Sequence, residues 1–253
     1  MDAAISILVA DDGARIAYRR REGDVPCVVF CGGFRSDMAG TKAVALDSWA
    51  TSCGRSFVRF DYRGHGESSG EFADGTVGLW RKDALLVLDE ACKGPAVVVG
   101  SSMGAWIALL LALARPDRVR GLVLIAPAVD FTETLIWDRI PADVRALLKR
   151  DGEWLRPSEY SDEPDRITMR LIEEGRSHLL LGGPIPFRGP VRILHGLADE
   201  TVPWQHGLRT AEALESPDVL ITLVKGGDHR LSGPEDIQRI TAALDEIMAR
   251  ADP

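Results

Sequence analysis

The chain has 253 residues, 45% hydrophobic and 27% charged, a globular balance with length for one large α/β domain or two small ones. Its formal net charge of -8 argues against a nucleic-acid partner or an anionic membrane surface. Cys27, Cys31, Cys53 and Cys92 form no C-x-x-C, "MDAAISILVADDG" has no basic leader, and the longest apolar run is Ala105–Ala114, which together predict reduced thiols, a cytoplasmic location and no stable membrane insertion.

In chain order, "ISILV" and "ARIAYRR" flank an "ADDG" turn and predict a hairpin. "CVVFC" (Cys27–Cys31) is a continuous β-branched run of the kind buried on both faces. A helix is predicted over Met38–Cys53, then strand "SFVRF", a helix over Val77–Cys92, strand "AVVVG", a helix over Met103–Ala114 and strand "GLVLIAP". That alternation predicts an α/β fold, a mostly parallel central sheet with helices on both faces. Past Pro127 the alternation stops until about Gly189, with helical pieces "PADVRALLKR" and "DRITMRLIEEG". Strands "VRILHG" and "VLITLVKG" follow, each with a helix after it. The predicted organisation is one core, residues 1–126 and 190–253, with a helical cap inserted at 127–189.

"VVVGSSMGAWIALLLA" holds two serines, but G-x-S-x-G fits only Gly100, Ser102 and Gly104. The setting is strand, turn, helix, as a nucleophile elbow requires, and the glycines let strand and helix approach closely. A hydroxyl needs a base to take its proton and an acid to orient that base. In the chain order Ser, acid, His, "VRILHGLADETVP" supplies Asp199, with Glu200 its neighbour and Asp130 a second candidate after the earlier strand. "VLITLVKGGDHRLSGPED" supplies His229 beyond a Gly-Gly. His195 is placed to brace the acid's loop, while His65, His178 and His206 fit worse. Two backbone N–H groups should form an oxyanion hole, one from Met103 and one from Phe34 in "GGFRSDM". "GHGESSG" has the wrong spacing for a dinucleotide fingerprint, and the isolated "DH" at Asp228–His229 makes no metal site. No cofactor and no metal are expected.

These residues carry a resemblance. "GTKAVAL", "RFDYRGHGESSG", "GLWRKDALLVLDE", "GSSMGAW", "ARPDRV", "PSEYSDE", "PIPF", "RILHGLADETVPW" and "DHR…DIQ" resemble the α/β-hydrolases, and more narrowly the mitochondrial acyl-protein thioesterase, or mycophenolic acid acyl-glucuronide esterase, family. The resemblance implies the α/β-hydrolase fold and hydrolysis of acyl thioesters, including S-palmitoyl cysteine, and of acyl glucuronides. It implies Ser102, Asp199 and His229 as the triad, with Phe34 and Met103 as oxyanion donors. An apolar acyl slot is expected among Phe34, Met103, Trp106 and the cap tryptophans Trp137 and Trp154, the last two of which could instead be cap core. Arg35 and Arg230 flank the site and could meet a glucuronide carboxylate.

The expectation is a cofactor-free serine hydrolase of small-molecule acyl esters and thioesters or S-acylated protein. Carboxylesterase, lactonase or C–C hydrolase specificity and haloperoxidase-like activity share its motifs. A catalytically silent binding protein on the same fold is the alternative from outside enzymology.

Overall fold

The computed structural model describes residues 3–157 and 164–251. The "SEYSDE" part of the resemblance lies outside them.

Strands β1 (Ile5–Val9) and β2 (Arg15–Arg21) form the expected hairpin. They lead into β3 (Asp24–Cys31), α1 (Thr41–Cys53), β4 (Arg55–Phe60), α2 (Val77–Ala91), β5 (Ala96–Ser101), α3 (Met103–Ala114) and β6 (Val119–Ile125). After a π-helical turn, Thr132–Trp137, come α4 (Ala142–Asp151), β7 (Glu153–Arg156), β8 (Asp165–Thr168) and α5 (Met169–Gly175). The chain returns through β9 (Val191–Gly196), α6 (Trp204–Ala213), β10 (Val219–Val224) and α7 (Pro234–Ala251).

Eight strands form one sheet in the order β1-β2-β4-β3-β5-β6-β9-β10. β2 runs antiparallel to β1 and to β4, and every other neighbouring pair is parallel. The central strands are buried on both faces, which is why their sequences read as unbroken apolar runs rather than alternations. Within β3 and β5 the period of two divides the core. Val28, Phe30, Val97 and Val99 meet α1 and α7, while Cys27, Val29, Cys31 and Val98 meet α2 and α3. Residues between β6 and β9, among them Phe131, Ile136, Leu148, Ile167 and Ile172, join the α2/α3 side of the core as one cluster.

Two expectations are corrected. α1 begins at Thr41, not Met38, because Gly40, extended at φ -60, ψ 155, occupies the N-cap; the Met38 N–H instead donates to Asp61 Oδ1 at 2.6 Å. "DRITMRLIEEG" is a helix only from Met169; Asp165–Thr168 pair with β7, with Asp165 and Ile167 buried and Arg166 exposed between them. The Thr168 hydroxyl then caps α5 by accepting from the Leu171 N–H at 3.1 Å.

Strand order reverses between β3 and β5, since β4 lies to one side of this pair and β6 to the other. In an open parallel sheet that reversal leaves a crevice at the carboxyl ends of the strands. The loop after β3 and the turn after β5 both end there.

Candidate active site

The turn from β5 into α3 puts Ser102 at φ 55, ψ -120. That region strains any residue with a Cβ and persists only where the surroundings impose it. Here the Ser102 N–H donates to the Ile125 carbonyl at 2.8 Å, and the Ser102 carbonyl accepts from Ala105 at 3.0 Å and Ala128 at 3.2 Å. The flanking glycines are needed for space: a Cβ on Gly100 would overlap Ala105 and the Gly104 carbonyl, and one on Gly104 would overlap the Cys31 and Gly32 carbonyls.

β9 and β10 deliver the other two groups. Leu197 donates to the Val224 carbonyl and Ala198 to the Gly227 carbonyl, each at 2.9 Å, so the loops after the two strands are laced together. His229 Nε2 lies 3.0 Å from Ser102 Oγ, and its Nδ1 lies 2.8 Å from Asp199 Oδ2. Asp199 Oδ1 accepts from the N–H groups of Thr201 at 3.0 Å and Val202 at 2.8 Å. Burial alone would raise the Asp199 carboxyl; hydrogen bonds from His195 and His229 and the Val202 N–H outweigh it and hold the group down at about 2. His195, fully buried, donates from Nε2 to the Val202 carbonyl at 2.8 Å and stands 3.3 Å from Asp199 Oδ2, bracing the loop. The two other acids stay apart from His229. Asp130 is buried and accepts from Leu180 at 2.8 Å and Leu181 at 2.7 Å, while Glu200 is exposed.

Phe34 follows Gly33, where a Cβ would come within 3.4 Å of Ser102 Cβ. Met103 supplies the first N–H of α3, an end of the helix that favours negative charge. Among the described residues neither of these N–H groups donates to a protein acceptor.

Ser102 and His229 open on a cavity of about 530 Å³. One wall is apolar, formed by Met103, Phe131, Leu135, Ile136 and Val202, and the rim carries Arg35, Lys42, Arg156 and Arg230 with Asp37 and Asp165. The Arg35 guanidinium lies 5.6 Å from the Phe72 ring centroid, donates to the Pro164 carbonyl at 2.8 Å and stands 3.6 Å from Asp165. Lys42 donates to the Arg230 carbonyl, and burial, with help from the Arg230 charge, pushes its ammonium down to about 8.

The three tryptophans expected at an acyl slot do not line this cavity. Trp106 is fully buried behind Phe131, with its Nε1–H on the His178 carbonyl at 3.0 Å. Trp137 faces the cations of Arg145, Lys149 and Arg176, 5.1–5.6 Å from its ring centroid. Trp154 sits on β7 opposite Ile167, packed on the core. Phe131, Leu135 and Ile136 hold the wall instead. The signal in the sequence was the presence of these three apolar residues in "FTETLIW", a few residues beyond β6. Among the described residues no helix is long and apolar enough to cross a membrane.

The chain is similar to known proteins along most of its length. The family described as "Serine aminopeptidase, S33" (Hydrolase_4) matches residues 25–170. The chain is 42% identical over 247 residues to mouse (Mus musculus) palmitoyl-protein thioesterase ABHD10, mitochondrial, covering 97% of this chain and 83% of the relative. The structure of alpha/beta hydrolase domain-containing protein 10 from mouse superposes with a TM-score of 0.92 at 41% identity, covering 98% of this chain and 99% of that one. A hydrolase structure from Agrobacterium vitis S4 gives 0.93 at 43% identity over the same shares. The relatives' mitochondrial designation overturns the cytoplasmic location expected above: unpaired thiols and an acidic balance fit any reducing compartment and do not single out the cytosol. By family match, near-full-length identity and shared fold, the chain is a hydrolase that belongs to the ABHD10 family of α/β-hydrolases.

Proposed function

We propose that Ser102, His229 and Asp199 are the nucleophile, base and orienting acid with which this enzyme cleaves acyl thioesters and carboxylic esters. The observation that carries the reading is the unbroken hydrogen-bond chain from Ser102 Oγ through His229 to Asp199, 3.0 and 2.8 Å long, at the floor of the cavity.

Ser102 Oγ attacks the acyl carbon as His229 Nε2 takes its proton. Asp199 holds Nδ1–H and stabilises the imidazolium. The carbonyl oxygen becomes an oxyanion held by the N–H groups of Phe34 and Met103. Collapse breaks the C–S or C–O bond, and the leaving thiol or alcohol takes the proton from His229. Water then gives a proton to His229 and attacks the acyl-enzyme; a second collapse releases the carboxylic acid and returns the proton to Ser102.

The mouse relative is named for palmitoyl-protein, and the reading extends to this chain an S-acyl cysteine substrate whose acyl chain lies on Phe131, Leu135, Ile136 and Val202. Arg35 and Arg230 on the rim suit an anionic leaving group, such as a glucuronide carboxylate. Residues 127–189 act as a cap, with the Pro- and Gly-rich "GGPIPFRGP" as the return.

Intact-mass spectrometry after a fluorophosphonate probe, on wild type and Ser102→Ala, tests this. One adduct on the wild type and none on the variant supports it, and a panel of S-acyl, O-acyl, lactone and glucuronide substrates then ranks the leaving groups. A folded wild type that takes no adduct and turns over no short ester points instead to ligand binding without catalysis.

A further inference from the structure

None of these steps uses the loop "DYRGHGESSG", yet it aims a buried histidine at the segment that supplies an oxyanion donor. His65 is 5% exposed and stands in a box of Tyr62, Phe72 and Trp80, whose ring centroids lie 5.6, 5.2 and 5.5 Å away. Its Nδ1 lies 3.2 Å from the Arg63 carbonyl and its Nε2 lies 3.3 Å from the Arg35 backbone nitrogen. A carbonyl only accepts, so Nδ1 carries the proton, and Nε2 accepts the Arg35 N–H. Burial keeps the ring neutral, pushing its pKa down to about 4.

Arg35 sits at φ 59, left-handed backbone that a side chain of this size rarely adopts. The turn it belongs to is fastened twice. Ser36 donates to the Gly33 carbonyl from N–H at 3.1 Å and from Oγ at 2.8 Å. In a trans peptide the N–H points opposite to the carbonyl, so this fixes the direction of the Phe34 N–H. His65 fastens the next residue, Arg35, and with it the strained φ that closes the turn.

We propose that His65 is a positioning residue for the oxyanion hole: by accepting the Arg35 N–H it holds the left-handed turn that aims the Phe34 N–H at the substrate carbonyl on Ser102. The assignment rests on the Ser102 reading above.

The test compares His65→Phe, which keeps the ring and removes the acceptor, with His65→Gln, whose amide oxygen can reach the Arg35 N–H. For His65→Phe, kcat on a short thioester should fall about 10- to 100-fold, less than the full loss of an oxyanion donor, with KM within about twofold. Affinity for a trifluoromethyl ketone, whose adduct on Ser102 carries the oxyanion, should fall by the same factor, and His65→Gln should recover most of both. In wild-type protein, NMR should show a scalar coupling across the hydrogen bond from the Arg35 amide to an unprotonated His65 Nε2; this needs no variant to fold. A protonated Nε2 or no coupling would overturn the proposal. So would a His65→Phe enzyme with wild-type kcat, or equal losses in both variants that follow thermal unfolding alone. Activity surviving in Ser102→Ala would remove the Ser102 reading and this proposal with it, whereas a fully active His65→Phe in an enzyme silenced by Ser102→Ala removes the His65 assignment only.

Discussion

Gly104 rests against the backbone carbonyl of Cys31, so the first turn of the helix that follows Ser102 is in contact with the strand that precedes Phe34. The contact is backbone to backbone, and nothing flexible can yield to an added methyl group. Gly104→Ala should lower unfolding free energy by about 2 kcal/mol or more, the cost of overpacking. It should also depress kcat by separating α3 from β3. Urea denaturation and kcat on one thioester check both; wild-type values in each would mean the two elements slide apart freely.

Asp199→Asn should leave the fold in place, because Thr201 and Val202 can still donate to the amide oxygen. It should reduce kcat by about 10⁴, since an amide presents an N–H where His229 Nδ1–H needs an acceptor. Comparing kcat with the circular dichroism melt separates the two effects. A loss of tenfold or less would move the orienting role to another carboxylate.

His65 gives stability a defined pH slope. Its folded pKa lies at about 4, below its ordinary 6.5, chiefly through burial; Arg35 pushes the same way, while the Arg63 carbonyl and Asp37 oppose. The unfolded chain therefore binds more protons between these values, and stability is complete above the upper one and lost as pH falls through the lower. From about pH 7 to pH 5 the wild type should lose roughly 2 kcal/mol more than His65→Gln. His206, also pushed down by burial, contributes equally to both proteins and cancels. Equal urea midpoint shifts for the two proteins would mean the ring is charged in the native state.

Acyl-chain selectivity should respond to Ile136, which is buried and lines the apolar wall. Ile136→Trp should reduce kcat/KM for a long-chain thioester at least tenfold, the scale that apolar pockets reach for small changes in chain volume, with little effect on an acetyl ester. A uniform loss across chain lengths would place the acyl chain elsewhere.

What the sequence made legible was local. Ser102 stands out because the turn needs glycine two residues away on each side. Asp199 and His229 stand out because each follows the carboxyl end of a late strand, β9 and β10. The structure brings these three side chains together. The misreadings arose where partners come from distant segments. Trp106 looks pocket-facing one turn after Ser102, but Phe131, from beyond β6, lies against it. "DRIT" follows a helical pattern until β7 is laid beside it. The wall of Leu135 and Ile136 depends on a π-helical turn, whose widened spacing simple helical periodicity does not describe. The sequence shows only that His65 fits the base's role worse than His229, because its partner, the Arg35 N–H, is a backbone group that carries no side-chain signature.

The placement of β10 at the sheet's edge has a consequence for biosynthesis. The proposed nucleophile, Ser102, lies in the turn after the central strand β5, but its proposed base follows it by 127 residues, in a loop beyond β10, which among the described residues pairs only with β9. While the chain emerges from the ribosome, Ser102 can be shaped by β3, β5 and β6 long before His229 exists. On the proposed triad, the serine lacks its base through that interval, and hydrolysis waits on one late event, the docking of β10 onto β9. On that reading, a chain cut short before β10 holds a serine with no base to activate it.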